Sequence, residues 1–251
     1  MRTWLGACRG ALAFLTRLPV SHREDDWEAF RARPATFPFV GLVVGALAAV
    51  PLLAADVLAA PTVALGYLLA VYAVVGIHNL DGVADLGDAL VVHGGLERRR
   101  EVLKDTTTGV GALLAVSLTV AGLALGALGV AELSATDAVG VAIAAEIGAR
   151  LGLATMAGFG TASHEGMGSQ LTEAATPGKL VLPAVLVLGV AVVLWPHPAA
   201  VAVPGALVGA GLPWHWARRN LGGVSGDVFG AAAEIGRVVG LHAGVIAWTL
   251  S

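Results

Sequence analysis

Charge is what this chain has least of. Asp, Glu, Lys and Arg make up 13% of its 251 residues, against about a quarter in a soluble domain. That scarcity excludes an ordinary water-soluble globule. Polar interruptions are missing too: apolar residues reach 57%, mean hydropathy is +0.80, and the apolar runs continue without the period-2 or period-3.6 breaks of half-buried elements. The single cysteine, Cys8, excludes an internal disulfide and, without a second thiol or histidine at ligand spacing, reads as a small apolar residue. No Gly-x-x-x-x-Gly-Lys-Ser/Thr loop is present, so a Walker-type nucleotide hydrolase is not expected. No aromatic stacking module accompanies the basic residues, which argues against a nucleic-acid partner. No cleavable signal peptide is expected, because Arg9 and Arg17 interrupt the first apolar stretch.

What is there is apolar length. A membrane-spanning helix needs roughly 20 mostly apolar residues, and the chain offers about seven such stretches, near 37–58, 62–79, 108–130, 138–159, 180–194, 199–216 and 235–250. The alternating pattern of a barrel is absent, so the expected fold is an all-α, polytopic bundle in a lipid bilayer. It reads as one integral membrane domain over 1–251, with 1–36 cytoplasmic or interfacial and 37–250 forming the bundle. Active-site loops are expected near 80–107 and 217–234. Gly41-xxx-Gly45, Gly122-xxx-Gly126 and Gly205-xxx-Gly209 read as helix-packing seams. Basic residues fall on alternate connections: Arg2, Arg9, Arg17, Arg23, Arg31 and Arg33, then Arg98, Arg99, Arg100 and Lys104, then Lys179, Arg218, Arg219 and Arg237. The turns near Ala60, Glu132 and His197 carry none, so the N-terminus and the basic side are expected in the cytoplasm.

Against that apolar background stands His78-Asn79-Leu80-Asp81-Gly82-Val83-Ala84-Asp85-Leu86-Gly87-Asp88. On a helix, Asp81, Asp85 and Asp88 lie within an arc of about 60 degrees. Three anions facing one point repel, and the usual remedy is a hard divalent cation; an oxygen-only set suits Mg2+ or Mn2+ better than zinc. The same side gathers Lys104-Asp105-Thr106-Thr107-Thr108-Gly109-Val110-Gly111, the pair Glu146 and Arg150, and Gly222-Gly223-Val224-Ser225-Gly226-Asp227. Together they resemble a phosphate and metal site, with glycines near Lys104 admitting backbone amides to a phosphate. Spacing of four also suits Glu146 and Arg150 to an intrahelical ion pair, Arg98 to Arg100 to topology alone, and Asp227 to a helix cap.

The aspartate motif, Lys104-Asp105, Gly222-Gly223-Val224-Ser225-Gly226-Asp227-Val228-Phe229-Gly230-Ala231, Phe14-Leu15-Thr16-Arg17-Leu18-Pro19-Val20 and Phe37-Pro38-Phe39-Val40-Gly41 together resemble the cobalamin synthases, the adenosylcobinamide-GDP ribazoletransferases of vitamin B12 assembly. The resemblance implies an enzyme of a prokaryotic cytoplasmic membrane that uses Mg2+. It would join adenosylcobinamide-GDP to alpha-ribazole or its 5'-phosphate and release GMP. On that basis Asp81 and Asp85 are expected as primary metal ligands and Asp88 as a third ligand or the base. Asp105 and Asp227 would bind a second cation or orient the first, and Lys104 and Arg150 would hold phosphate oxygens. Whether copies assemble into a homo-oligomer stays open. The rivals are another metal-dependent membrane alcohol phosphotransferase, whose Asp-Gly-x-x-Ala-Arg opening is missing here, and a cation-coupled transporter, which calls for acids near mid-bilayer.

Overall fold

Lipid offers no partner to a backbone amide, so a chain this apolar must satisfy its backbone within helices. The computed structural model describes residues 3–21, 23–105, 107–195 and 197–251. Arg2 and Thr106, used above for topology and motif, lie outside the described residues, as does Pro196 beside the His197 turn. Among these the chain forms twelve α-helices and no strand. They are α1 (Trp4–Leu15), α2 (Glu24–Arg31), α3 (Thr36–Ala48), α4 (Ala60–Val75), α5 (His78–Val91), α6 (Leu96–Val102), α7 (Val110–Val130), α8 (Ala135–Phe159), α9 (Met167–Ala174), α10 (Val181–Val193), α11 (Pro198–Asn220) and α12 (Gly226–Thr249).

Four helices are long and apolar enough to cross a membrane: α3 with its 3-10 continuation (Thr36–Ala54), α7, α8 and α12. The number is six if two bent pairs each count as one span, α4 with α5 at 94° and α9 with Pro177–Val193 at 86°. The seventh expected stretch is α11, 23 residues long, which carries Pro204 and Pro213 and ends on Arg218 and Arg219. The chain is thus an all-helical, multi-pass membrane bundle.

Small residues set how closely the helices approach. A Cβ on Gly41 would stand 2.7 Å from the Glu146 carbonyl oxygen, and one on Gly45 2.8 Å from the Ile143 Cα, so α3 lies directly on α8. Gly122 and Gly126 face Val238 and His242, seating α7 on α12, while Gly205 and Gly209 face Ala243 and the Ile235 carbonyl, seating α11 on α12. The three expected seams are therefore packing contacts. With α11 and α12 they leave α8 buried along most of its length.

Two boundaries differ from expectation. The second span ends at Val75 rather than Asn79: Gly76, at φ +76, caps α4, and α5 departs at 94°. Only a residue without Cβ adopts that backbone readily. The last span starts at Gly226 instead of Ile235. Consequently Glu234 and Arg237, expected in or beside a loop, sit inside α12 and are fully buried.

The N-terminal segment folds as a hairpin of α1 and α2. Arg9 donates from Nε to Asp26 Oδ2 at 3.1 Å and from Nη2 to Oδ1 at 2.9 Å, and Phe14, Trp27, Phe30 and Phe37 stack in sequence with centroids 4.8 to 5.8 Å apart. The Arg9 guanidinium holds the Asp26 carboxyl below the usual carboxylate range. A lowered folded-state pKa adds stability above the unfolded value of about 3.9, and that stability is lost as pH falls through the folded pKa. Asp26→Asn should therefore melt below the native chain at pH 7, and the gap should close as the pH falls below about 4; thermal unfolding in lipid measures it.

Candidate active site

The aspartate motif is helical, as its spacing predicts, and forms most of α5. Two glycines bring this helix onto the start of α12. A Cβ at Gly82 would stand 2.5 Å from the Asp227 carbonyl oxygen, and one at Gly230 3.2 Å from the Asn79 Cα. The contact carries Asp227, in the first turn of α12, to the acids of α5. Asp81 is exposed, while Asp85, Asp88 and Asp227 are half-buried. Asp85 feels the charges of Asp227, Asp81 and Asp88, in that order. Ser225 Oγ donates to Asp227 Oδ2 at 3.1 Å and steadies it.

The three acids of α5 do not share one role. Asp88 Oδ2 accepts the Gly109 N–H at 2.8 Å and its Oδ1 the Ala112 N–H at 2.9 Å. It thereby satisfies amides at the start of α7, where a helix leaves N–H groups without partners. The glycines at 109 and 111, expected to admit a phosphate, instead admit Asp88 and Gly87: a Cβ at Gly109 would stand 2.4 Å from Asp88 Oδ1, and one at Gly111 2.5 Å from the Gly87 carbonyl oxygen.

Asp81 and Asp227 open onto a cavity of about 460 Å3. Its polar wall also holds His78, Asn79, Thr16, Arg17 and Arg150, and its apolar wall includes Phe14, Phe37, Leu153, Met167 and Phe229. Arg17, given no site role from the sequence, is brought in by its N–H, which donates to the Val74 carbonyl at 2.7 Å. The sole signal for Arg17 was its place in the Phe14 to Val20 motif. Arg150 is 1% exposed and none of its three guanidinium nitrogens has a hydrogen-bond partner. Glu146 Oε2 lies 3.8 Å from Arg150 Nη2, too far for a hydrogen bond. The other Glu146 oxygen is held by Arg237 Nε, whose Nη1 donates to Glu234 Oε2 at 2.6 Å.

Lys104 and Asp105 are not brought to this cavity. Both are exposed on the turn after α6. Asp105 Oδ1 accepts the Thr107 N–H at 3.0 Å and its hydroxyl at 2.8 Å, which holds the Asp105 carboxyl below the usual range. Of the neighbouring arginines, Arg99 donates to Asn220 Oδ1 at 2.8 Å and Arg100 Nη2 to the Leu221 carbonyl at 2.8 Å, so α6 is tied to the end of α11. The segment after Leu221 is pinned by Val224, whose N–H donates to the Thr161 carbonyl at 2.8 Å and whose carbonyl accepts the Ser163 N–H at 3.0 Å. That fixes the chain leading into Asp227.

Among the described residues no three His, Cys, Asp or Glu side chains converge closely enough to hold one ion. The donors still suit Mg2+, which is commonly held by one or two carboxylates with substrate phosphates and water completing the octahedron. Asp81 and Asp227 stand beside the cavity with Asp85 next to them, an oxygen-only and mutually repelling set.

Fold and site define a polytopic helical membrane enzyme whose cavity joins carboxylates to a recessed guanidinium. Residues 7–245 match the family model described as cobalamin-5-phosphate synthase, and the chain belongs to that family. It is 51% identical over 255 residues to the adenosylcobinamide-GDP ribazoletransferase of Halorubrum lacusprofundi, covering 98% of each chain. It is 56% identical over 190 residues to the protein of that name from Halobacterium salinarum, covering 75% of this chain and 96% of the relative. With the Haloquadratum walsbyi protein of the same name the identity is 39% over 253 residues, 98% and 99% of the two chains. No solved structure matches the chain.

The contact at Gly82 is a sharp test of the assembly. Gly82→Ala should cost about 1–3 kcal/mol by forcing α5 from α12. Gly189→Ala, where a Cβ meets nothing within 4 Å, should be neutral or slightly stabilising; thermal unfolding of the two variants in lipid makes the comparison.

Proposed function

We propose that this chain transfers the phosphorylated corrinoid of adenosylcobinamide-GDP to alpha-ribazole or its 5'-phosphate, releasing GMP. Its relatives' printed name supplies the reaction. The observation of this structure that carries the reading is that one cavity is lined by Asp81, Asp227 and Arg150, whose buried guanidinium nitrogens have no hydrogen-bond partner.

In this reaction a ribose hydroxyl of the ribazole attacks the phosphorus attached to the aminopropanol arm. The new oxygen–phosphorus bond forms as the bond to the bridging oxygen breaks, and GMP leaves with that oxygen. Asp81, Asp85 and Asp227 would hold Mg2+, which when bound neutralises charge on the departing phosphate. Arg150 would donate to the phosphate oxygens from the floor of the cavity, with Arg17 on the wall beside it. Asp81, exposed at the mouth, would receive the hydroxyl proton when a second carboxylate carries the metal. Asp88 would act by position, locking α5 to the start of α7. The apolar wall, with Phe14, Phe37 and Phe229, suits the flat ribazole base. Lys104 and Asp105 would meet the parts of the corrinoid that stay outside so small a cavity.

The reading places the chain in the cytoplasmic membrane with the cavity facing the cytoplasm. Its support is the set of basic residues at that end, Arg98 to Arg100, Lys179, Arg218 and Arg219, against none in the opposite turns. Buried acids do exist, as a transporter would need. Glu146 and Glu234 are, however, matched by Arg150 and Arg237, which leaves the interior cluster without net charge to couple to transport.

GMP release from adenosylcobinamide-GDP by the purified protein in lipid tests the proposal. Release should require both alpha-ribazole phosphate and Mg2+, and Asp81→Ala should lower the rate about 10²–10³-fold without lowering the melting temperature. Near-normal release from Asp81→Ala would remove that residue from the site.

A further inference from the structure

Two fully buried arginines share one glutamate here, and they share it unequally. Arg237 takes Glu146 Oε1 through Nε and Glu234 Oε2 through Nη1, the latter at 2.6 Å. Arg150 lies on the same helix as Glu146, one turn further on, where an i,i+4 pair would ordinarily close. It remains 3.8 Å from Glu146 Oε2, and its Nε, Nη1 and Nη2 are without hydrogen-bond partners although the side chain is 1% exposed. A buried cation with unused donors is costly unless a ligand completes it. Arg150 lines the cavity that also takes Asp81 and Asp227, whereas Arg237 and Glu234 do not.

The geometry points to Arg237 and Glu146 as positioning residues for anion binding: by holding Glu146 Oε1 from α12, Arg237 keeps the Glu146 carboxylate paired with Arg150 in charge but outside hydrogen-bond range, so that the Arg150 donors stay open to a phosphate oxygen in the cavity. The inference rests on the reading that the cavity seats the pyrophosphate of the substrate. Glu146 lies 91 residues from Arg237 in sequence, so the arrangement depends on α8 and α12 being packed in register. Gly236 and Gly240 on α12 make that register, with Cβ positions 3.0 Å from the Ala149 Cβ and 2.9 Å from the Ala145 Cβ. Substrate phosphate would then supply the hydrogen bonds that the fold leaves unmade at this guanidinium, and Arg237 would never touch it.

A direct competition follows between Glu146 and the anion for Arg150. Removing the Glu146 charge should favour the anion, and freeing Glu146 from Arg237 should oppose it. The full-length protein in lipid, at fixed Mg2+, is titrated with inorganic pyrophosphate, and the KM for adenosylcobinamide-GDP is measured in parallel. Glu146→Gln retains an oxygen to accept from Arg237 and should bind pyrophosphate about threefold more tightly. Arg237→Met should bind it about tenfold more weakly, with KM raised by a similar factor and kcat less affected. The double variant E146Q/R237M should return toward native affinity, and adding Arg237→Met to Arg150→Met should weaken binding no further.

A purely structural ion pair gives other results. Weaker binding in Glu146→Gln with an unchanged melting temperature overturns the inference. So does unchanged binding in folded Arg237→Met, or the absence of saturable pyrophosphate binding by the native protein. Should Arg237→Met fail to fold, Glu146→Gln alone decides, because the two accounts give it opposite signs. Pyrophosphate binding that follows the expected order in a protein that releases no GMP would leave the inference standing and remove the proposed reaction. GMP release with the opposite order would do the reverse.

Discussion

Two glutamates and two arginines buried between α8 and α12 are the constraint on which the rest of the molecule hangs. Charges removed from water cost several kcal/mol each unless their partners are well placed, so the helices carrying Glu146, Arg150, Glu234 and Arg237 have little freedom to slide or rotate. Glycine and alanine along the contact let the backbones come close enough for these pairs to form. Once the register is set, Arg150 from α8 and Asp227 from the first turn of α12 line one cavity. Helix α5 then docks on that turn through Gly82 and Gly230, and α7 docks on α5 through Asp88.

The resulting site divides its labour by depth. Asp81 is exposed and Asp227 half-buried, whereas the Arg150 guanidinium is fully buried with no hydrogen bond of its own. Arg150 has Glu146 as its ion-pair partner but no hydrogen bond. In the proposed reaction a substrate bearing a metal-bound pyrophosphate would satisfy both, with the cation against the acids and the remaining oxygens against Arg150. Apolar walls from α1, α3, α9 and α12 surround this polar seam, which suits a reaction joining an aromatic nucleoside to a much larger partner at a membrane face.

Much of the bundle was legible from hydropathy because lipid demands long unbroken apolar helices. The expected 108–130 and 138–159 correspond to Val110–Val130 and Ala135–Phe159. Direction was not legible: hydropathy runs through Gly76 without a sign of the 94° turn, which depends on a positive φ and on α12 receiving α5. Arg237 was hidden for a related reason. A charge near the edge of an apolar stretch ordinarily marks a helix end, and its partner Glu146 is remote in sequence. The spacing of Asp81, Asp85 and Asp88 gave their common helix and close company, but not that Asp88 would spend both oxygens on α7. That division is made by Gly109 and Gly111, whose bare backbones let α7 approach. Lys104 and Asp105, adjacent in motif order, stand apart because the turn after α6 leaves both exposed.

The most direct measurement is a crystal or electron-microscopy structure of the protein in lipid with Mn2+ replacing Mg2+ and pyrophosphate present, the metal located by its anomalous signal where crystals allow. The account expects one or more ions bound by oxygens of Asp81, Asp85 or Asp227 at roughly 2.0–2.2 Å, with a phosphate oxygen hydrogen-bonded to Arg150. An ion held instead by Asp105, or a pyrophosphate that leaves the Arg150 donors untouched, would contradict it.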